Sequence, residues 1–210
     1  MSYEIYTMAG SCSMAVHAIM NELGLNPKVH VVEKNDGEKG IKNPKYLKLN
    51  PRGNVPMMVE DGNVMLEGAA IITYLCDKEG KLIPKNGWER AQALQWLMFC
   101  NATLHPAYSR TYWIMANLPA DQHEAALNAA RSQIQVLWDY VEAALEKSGN
   151  AYLAGNEPTA GDFILTTIAN WNPTAYKFGP KTKTLLKNIS ARPSYQKALA
   201  AEAVEYKAAA

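Results

Sequence analysis

The stretch AGSCSMAVH, Ala9 to His17, places a cysteine between two serines just ahead of an apolar helical pattern. If a helix begins near Ser13, the unpaired N–H groups of its first turn and its dipole face Cys12. That setting lowers a thiol's pKa and favours an anion, including a thiolate carried by a ligand. The same letters also suit a small buried cysteine beside an ordinary serine N-cap. Cys76 and Cys100 lie among apolar neighbours in helical patterns and read as inert core thiols.

Two further features are compatible with a peptide ligand. In NVPMM, Asn54 to Met58, Pro56 enters a strand, where it costs a ladder hydrogen bond and belongs at an edge, a start or a tight turn. A cis Val55–Pro56 bond would turn the Val55 backbone outward as an open edge for an extended peptide, whereas a trans proline would simply start the strand. Glu67-Gly68 opens a helical pattern. Backbone N–H groups there would bind a carboxylate, Gly68 would allow close approach, and Glu67 would accept from a neighbouring ammonium. An acidic residue in a first helical turn is also favourable without any ligand.

The elements that must position these residues alternate at first. Tyr3 to Thr7 reads as a strand, Ser13 to Leu23 as a helix stopped by Gly24, and Lys28 to Val32 as a second strand. Residues 33–54 are polar, broken by glycine and proline, with a short helix near Lys45 to Lys48. VPMMVEDGNVML gives two strands about an Asp61-Gly62 turn, and EGAAIITYLCD gives a helix. Composition shifts over Lys78 to Gly87, and strand signals then vanish. Trp88 to Leu118 is helical with a kink expected at Pro106; Asp121 to Lys147 is amphipathic. Thr159 and Asp162 have capping-box spacing before the apolar run Phe163 to Trp171, and helices over 181–190 and 193–205 complete the chain. The expected division is a βαβαββα domain over residues 1–80, a linker over 81–87 and an all-helical domain over 88–210.

Bulk properties set the class. The 210 residues carry 21 basic and 20 acidic side chains, a net charge of +1 that offers no field for nucleic acid. No apolar run approaches the roughly 20 residues of a membrane helix, and MSYEIYTMAG lacks the pattern of a signal peptide. Three cysteines, odd and sparse, argue against a disulfide framework and for a reducing, cytoplasmic location.

Taken in order, these motifs resemble the cytosolic glutathione S-transferases over essentially the full length, and most nearly the bacterial beta class. Gly10-Ser11-Cys12-Ser13 with His17 is similar to its G-x-C-S opening and following histidine. Asn50-Pro51-Arg52-Gly53-Asn54-Val55-Pro56 is similar to N-P-basic-G-x-V-P, and Glu67-Gly68-Ala69-Ala70-Ile71 to E-G-x-A-I. The resemblance implies a thioredoxin-like domain followed by a helical one, glutathione as co-substrate without a metal, a hydrophobic electrophile as second substrate, and a homodimer. It implies Cys12 beside the glutathione sulfur, with Ser13 donating to it. Asn54 and Val55 would meet the cysteinyl part ahead of a cis Pro56, and Glu67 and Gly68 the γ-glutamyl end. Thr159 and Asp162 match the family's structural capping box.

By the same resemblance His105 is a catalytic and glutathione-facing residue of the first long helix. The pattern departs just there: Pro106 replaces a usual lysine, and Met98 stands at an upstream asparagine. Lys39 is the lysine nearest in alignment to one meeting the glycyl carboxylate. His17 reads as a structural hydrogen bonder, and His30 and His123 have no supporting constellation. The electrophile is expected between the domains, near Met8, Met14, Tyr108, Tyr112 and Trp113, side chains that would equally suit a core. Conjugation of glutathione is the expected activity. Thiol–disulfide or peroxide reduction through Cys12 is one alternative, and a non-enzymatic binding or regulatory module another.

Overall fold

The computed structural model describes residues 2–34 and 41–208. Strand β1 (Tyr3–Thr7) buries Tyr3, Ile5 and Thr7 on one face, the period-two pattern of a strand packed on one side. It pairs in parallel with β2 (Lys28–Val31) and antiparallel with β3 (Met57–Glu60), which continues into β4 (Asn63–Leu66). The sheet order is β2-β1-β3-β4. Asp61 and Gly62, at φ 45° and 88°, form the two-residue turn between β3 and β4. A turn with both central residues at positive φ matches the right-handed twist of the flanking strands, and Asp-Gly tolerates that conformation.

Helix α1 (Cys12–Glu22) crosses from β1 to β2, and α2 (Pro44–Leu49) and α3 (Gly68–Glu79) complete the thioredoxin-like domain. Every residue of α1 from Ser13 to Met20 is buried. A helix covered on one side only would alternate at 3.6 residues; this one packs on β1 and α3 and also on helices of the second domain.

The second domain is all-helical: α4 (Gly87–Met98), α5 (His105–Asn117), α6 (His123–Ser148), α7 (Ala160–Ala169), α8 (Pro180–Ser190) and α9 (Pro193–Ala201). Helix α7 is buried throughout and forms the axis of the domain. Its capping box is formed: the buried Asp162 carboxylate accepts from the Thr159 N–H at 2.7 Å, the Thr159 hydroxyl at 2.8 Å and the Leu153 N–H at 2.9 Å.

Two expectations are corrected. The kink at Pro106 takes the form of a wide π-helical segment, Phe99–Leu104, in which the His105 N–H reaches back to the Cys100 carbonyl. Proline offers no N–H to the carbonyl four residues back, and the widened turn accommodates it. The last helix ends at Ala201 rather than 205; Ala203, at φ 53°, turns the chain and carries Glu202 under α1.

Candidate active site

Ser11 caps α1, its side chain accepting from the Ser13 N–H, so Cys12 is the first helical residue. The thiol is half-buried and donates to the Val55 carbonyl at 3.8 Å. Burial pushes it up to about 11, even though the backbone N–H groups of Cys12 and Ser13 pull it down; the Glu67 charge adds to the rise. The sequence-based expectation of an acidic thiol is therefore corrected. Desolvation of the thiolate outweighs the helix start, and Cys12 is a protonated donor at neutral pH. Cys76 and Cys100 are fully buried.

Ser13 sits behind Cys12, its side chain fully buried. Glu202 accepts from the Thr7 hydroxyl at 2.8 Å, the Gly10 N–H at 3.1 Å and His17 Nδ1 at 3.0 Å. With the Thr7 proton directed to Glu202, the 2.7 Å contact between Thr7 and Ser13 is donated by Ser13. Ser13 Oγ then accepts from the Met8 N–H at 3.0 Å and from the Ser11 hydroxyl at 2.7 Å. Each hydroxyl has one proton, so the chain runs one way, from Ser11 through Ser13 and Thr7 to Glu202. The Ser13 hydroxyl is thus committed away from the cavity, which corrects its expected role as a side-chain donor to sulfur; its backbone N–H stays beside the thiol. His17 is the structural hydrogen bonder expected.

In front of Cys12 lies a cavity of about 310 Å³ between the domains. Its α/β wall includes Asn54, Val55, Pro56, Glu67, Gly68 and Arg52. The Val55–Pro56 bond is cis. Asn54 is anchored by Asn50 Nδ2, which donates to its carbonyl at 2.6 Å and its Oδ1 at 3.0 Å. Glu67 has φ +69°, a left-handed conformation costly for a side-chain-bearing residue, and pairs with Arg52 in solvent. A Cβ at Gly68 would lie 3.3 Å from Pro56 Cγ, so glycine lets the start of α3 abut the cis proline.

The helical domain closes the other side with Asn101, His105, Pro106 and Ser109. His105 is largely enclosed, and burial holds its imidazole below the ordinary value, neutral at pH 7. Met98, at the place of the family's asparagine, is exposed, while Asn101 reaches the cavity. A second cavity of about 300 Å³ adjoins the first and is lined by Ala9, Gly10, Ser11, Cys12, His105, Ser109, Tyr112 and Trp171. Of the residues expected around the electrophile only Tyr112 lines it. Met14 is core, Tyr108 is core and accepts from Trp138 Nε1 at 2.9 Å, and Trp113 is exposed on α5. Met8 is half-buried outside both linings.

Lys39 lies outside the described residues. His30 stacks on Tyr6 at 4.3 Å and His123 bonds the Leu118 carbonyl at 2.9 Å, both away from the cavities. Sequence reasoning passed over five contributors. Arg52 was visible as the basic residue of its motif. Asn101 and Ser109 stand four residues either side of His105, a helical spacing that signals a shared face. Trp171 and Glu202 had no local signal.

Comparison with known proteins agrees with this geometry. Residues 9–78 match the glutathione S-transferase N-terminal domain, and residues 95–193 match the glutathione S-transferase C-terminal domain. The glutathione S-transferase GST-4.5 of Xanthomonas campestris pv. campestris is 32% identical over 184 residues, 84% of each chain. Glutathione S-transferase GstA of Escherichia coli O157:H7 is 27% identical over 96% of this chain and 100% of its own. The solved structure of a glutathione S-transferase from Xylella fastidiosa superposes with a TM-score of 0.86 at 25% identity, covering 97% of this chain and 100% of that one. The paired cavities around Cys12 therefore belong to a member of the glutathione S-transferase family, an enzyme that conjugates glutathione as its co-substrate.

Proposed function

We propose that glutathione occupies the first cavity with its sulfur beside Cys12, and that a hydrophobic electrophile meets it from the second. The observation that carries this reading is that Cys12 and His105 line both cavities, so a sulfur held between them faces each. The γ-glutamyl end rests on Glu67 and Gly68: the start of α3 takes its carboxylate and the Glu67 carboxylate its ammonium. Arg52 is a second cation at that end. The cysteinyl backbone pairs with Val55, beside the anchored Asn54. The neutral His105 accepts the thiol proton. The glutathione thiolate then receives a hydrogen bond from the Cys12 thiol and lies at the positive end of the α1 dipole. It attacks the electrophile by substitution or addition.

A thiol held near 11 is a donor rather than a nucleophile at neutral pH. This supports conjugation over disulfide exchange as the main chemistry. The test compares turnover of an aromatic chloride with reduction of a glutathione mixed disulfide, in the wild type and in Cys12→Ser. Conjugation should dominate and survive in the variant, within about tenfold, because the serine hydroxyl replaces the thiol as donor. A variant that loses conjugation altogether, or a wild type in which disulfide reduction dominates, would overturn the donor role of Cys12.

The division at residues 80 and 88 and a cytoplasmic location accompany this reading; free cysteines at 12, 76 and 100 suit a reducing compartment. The protein is further proposed to be a homodimer. Met98, Val136 and Tyr140 expose apolar surface on the α4–α6 side of the helical domain, and a two-fold, isologous contact would cover it. Light scattering should give twice the chain mass, and a monomer at every concentration would refute the dimer.

A further inference from the structure

Asparagine followed by glycine occurs once in the chain, at Asn86-Gly87 where the link between the domains enters α4. In such a pair the backbone nitrogen of the second residue can attack the side-chain amide of the first and close a five-membered ring. A Cβ on the second residue crowds that attack, and a proline there has no N–H to lose; glycine presents neither obstacle. Every other asparagine is followed by proline or by a residue with a side chain.

The structure leaves this pair free to react. Ile83 is buried on one side of it. On the other, Arg90 donates to the Asp77 carboxylate at 2.6 and 3.0 Å and to the Pro84 carbonyl at 3.2 Å. Between these anchors residues 85–89 are all exposed. Asn86 stands at the N-cap position of α4 in extended conformation, yet its side chain makes no capping bond. The groups that must meet are its amide and the Gly87 nitrogen, and neither has a hydrogen-bond partner among the described residues. Gly87 has φ +75°, which glycine adopts without strain.

Asp61-Gly62 is the contrast. Its carboxylate accepts from the Ser2 N–H at 2.8 Å and the Ser2 hydroxyl at 3.2 Å, and its own N–H donates to the Ser2 carbonyl at 3.2 Å. Those bonds fix the side chain, and an ionised carboxylate is a poorer target for a nucleophile than an amide.

We propose that Asn86-Gly87 is a site of spontaneous covalent modification, deamidation through a succinimide with water as co-reactant. The Gly87 nitrogen gives its proton to solvent base and bonds to Asn86 Cγ. The amide C–N bond breaks, and the nitrogen takes a proton from solvent and leaves as ammonia. Water then adds to one of the two ring carbonyls, its OH going to that carbon and its other hydrogen to the ring nitrogen. Opening at Cγ leaves aspartate. Opening at the main-chain carbonyl leaves isoaspartate, whose backbone runs through Cγ and is one methylene longer. Nothing is oxidised or reduced. Either product replaces an amide with a carboxylate, so the balance of 21 basic to 20 acidic side chains becomes 21 to 21. The new charge stands at the first turn of α4, where unpaired N–H groups favour an anion.

The test ages the full-length folded protein at about pH 8.5 and at about pH 5. Isoelectric focusing, peptide mapping by mass, and methyl labelling of the peptides by an isoaspartyl methyltransferase follow the change. At the alkaline pH an acidic band should grow, with a gain of about one mass unit in the peptide holding Asn86, which takes up the label. Conversion there should be at least about tenfold faster than at any other asparagine. It should slow at least about tenfold at pH 5, where base to remove the Gly87 proton is scarce. Asn86→Gln, which would need a six-membered ring, should abolish the band, and Asn86→Asp should focus at its position from the start. An amide retained at Asn86 while another asparagine converts, or an acidic band that survives Asn86→Gln, would overturn the proposal. So would conversion in the urea-unfolded chain beside resistance in the folded protein, since the native link would then hold the two groups apart.

Discussion

The two walls of the glutathione cavity are built on different principles. The α/β wall works through backbone groups at special conformations: the cis Val55–Pro56 bond, the positive φ of Glu67, the glycine at 68 and the first turn of α1. The helical wall works through side chains projected from α5 and the π-helical segment before it, with Asn101, His105 and Ser109 at four-residue steps. Backbone sites need particular residues in immediate succession, so they are written as short contiguous motifs. Side-chain sites need only spacing and are free to recruit partners from anywhere the fold brings near. Glu202 and Trp171, both from the helical half, show how far this goes, since they bind the Gly10 peptide across the whole length of the chain.

The strongest test of that comparison is Glu202→Ala. It leaves the Thr7 hydroxyl, the Gly10 N–H and His17 buried beside an empty space, and each orphaned group costs about 1–3 kcal/mol. Allowing for relaxation, the expected loss of stability is about 3–5 kcal/mol by urea unfolding. A change under about 1 kcal/mol would mean that Glu202 adds little to the coupling of the two halves, which would then rest on apolar packing and the remaining polar links such as Arg192 with Glu22.

Asp162 probes the helical half by itself. Burial raises its carboxyl to about 6, although Leu153 and Thr159 donate hydrogen bonds that oppose the rise. The unfolded chain ionises near 3.8, so the folded protein binds the additional proton between about pH 4 and 6. This contribution is fully present at the acid end and is lost as pH rises through 6, by about 2–3 kcal/mol. Glu22 shifts the opposite way: burial would raise it, but hydrogen bonds from Arg192 and Ser194 lower it further. The measurement is therefore the difference in slope between wild type and Asp162→Asn. Identical slopes would remove Asp162 as the titrating group.

On the α/β wall, Glu67→Gln keeps the backbone geometry and removes the charge. Taking a charge-assisted hydrogen bond away from a substrate group remote from the sulfur should weaken glutathione binding by about 1.5–3 kcal/mol. The effect belongs in the KM for glutathione, with kcat little changed. An unaltered KM would make Glu67 a helix-start residue only, its charge serving Arg52 rather than the ligand.

The sequence was legible where local chemistry decides. The Asp61-Gly62 hairpin, the helix starting at Cys12, the Thr159–Asp162 box and the strand–helix order could all be read, because each depends on neighbours within a few residues. The misjudgements arose where burial decides. The helix start at Cys12 was visible in the letters, but the desolvation that outweighs it was not. The hydroxyl of Ser13 was visible, but the carboxylate 189 positions away that fixes the direction of its proton was not. Met14 and Tyr108 were placed near a ligand because their types suit one, whereas packing between the two domains assigns them to the core.

The smallest effect expected at neutral pH concerns Cys12 itself. A thiol near 11 is ionised in roughly one molecule in ten thousand at pH 7, and only the thiolate attacks a disulfide. Oxidised glutathione should therefore modify Cys12 slowly at pH 7, with the rate rising about tenfold per pH unit over the range in which the protein stays folded. Cys76 and Cys100 should stay unmodified, because burial raises both thiols and closes them to solvent. Intact mass measurement with peptide mapping across a pH series reads the site and the rate together, and Cys12→Ser should abolish the adduct. Two results would count against this picture. Rapid, complete modification of Cys12 at pH 7 would show that the first turn of α1 does overcome burial, making the α/β wall a nucleophile as well as a backbone cradle. An adduct confined to Cys76 or Cys100 would mean that Cys12 does not face the glutathione cavity.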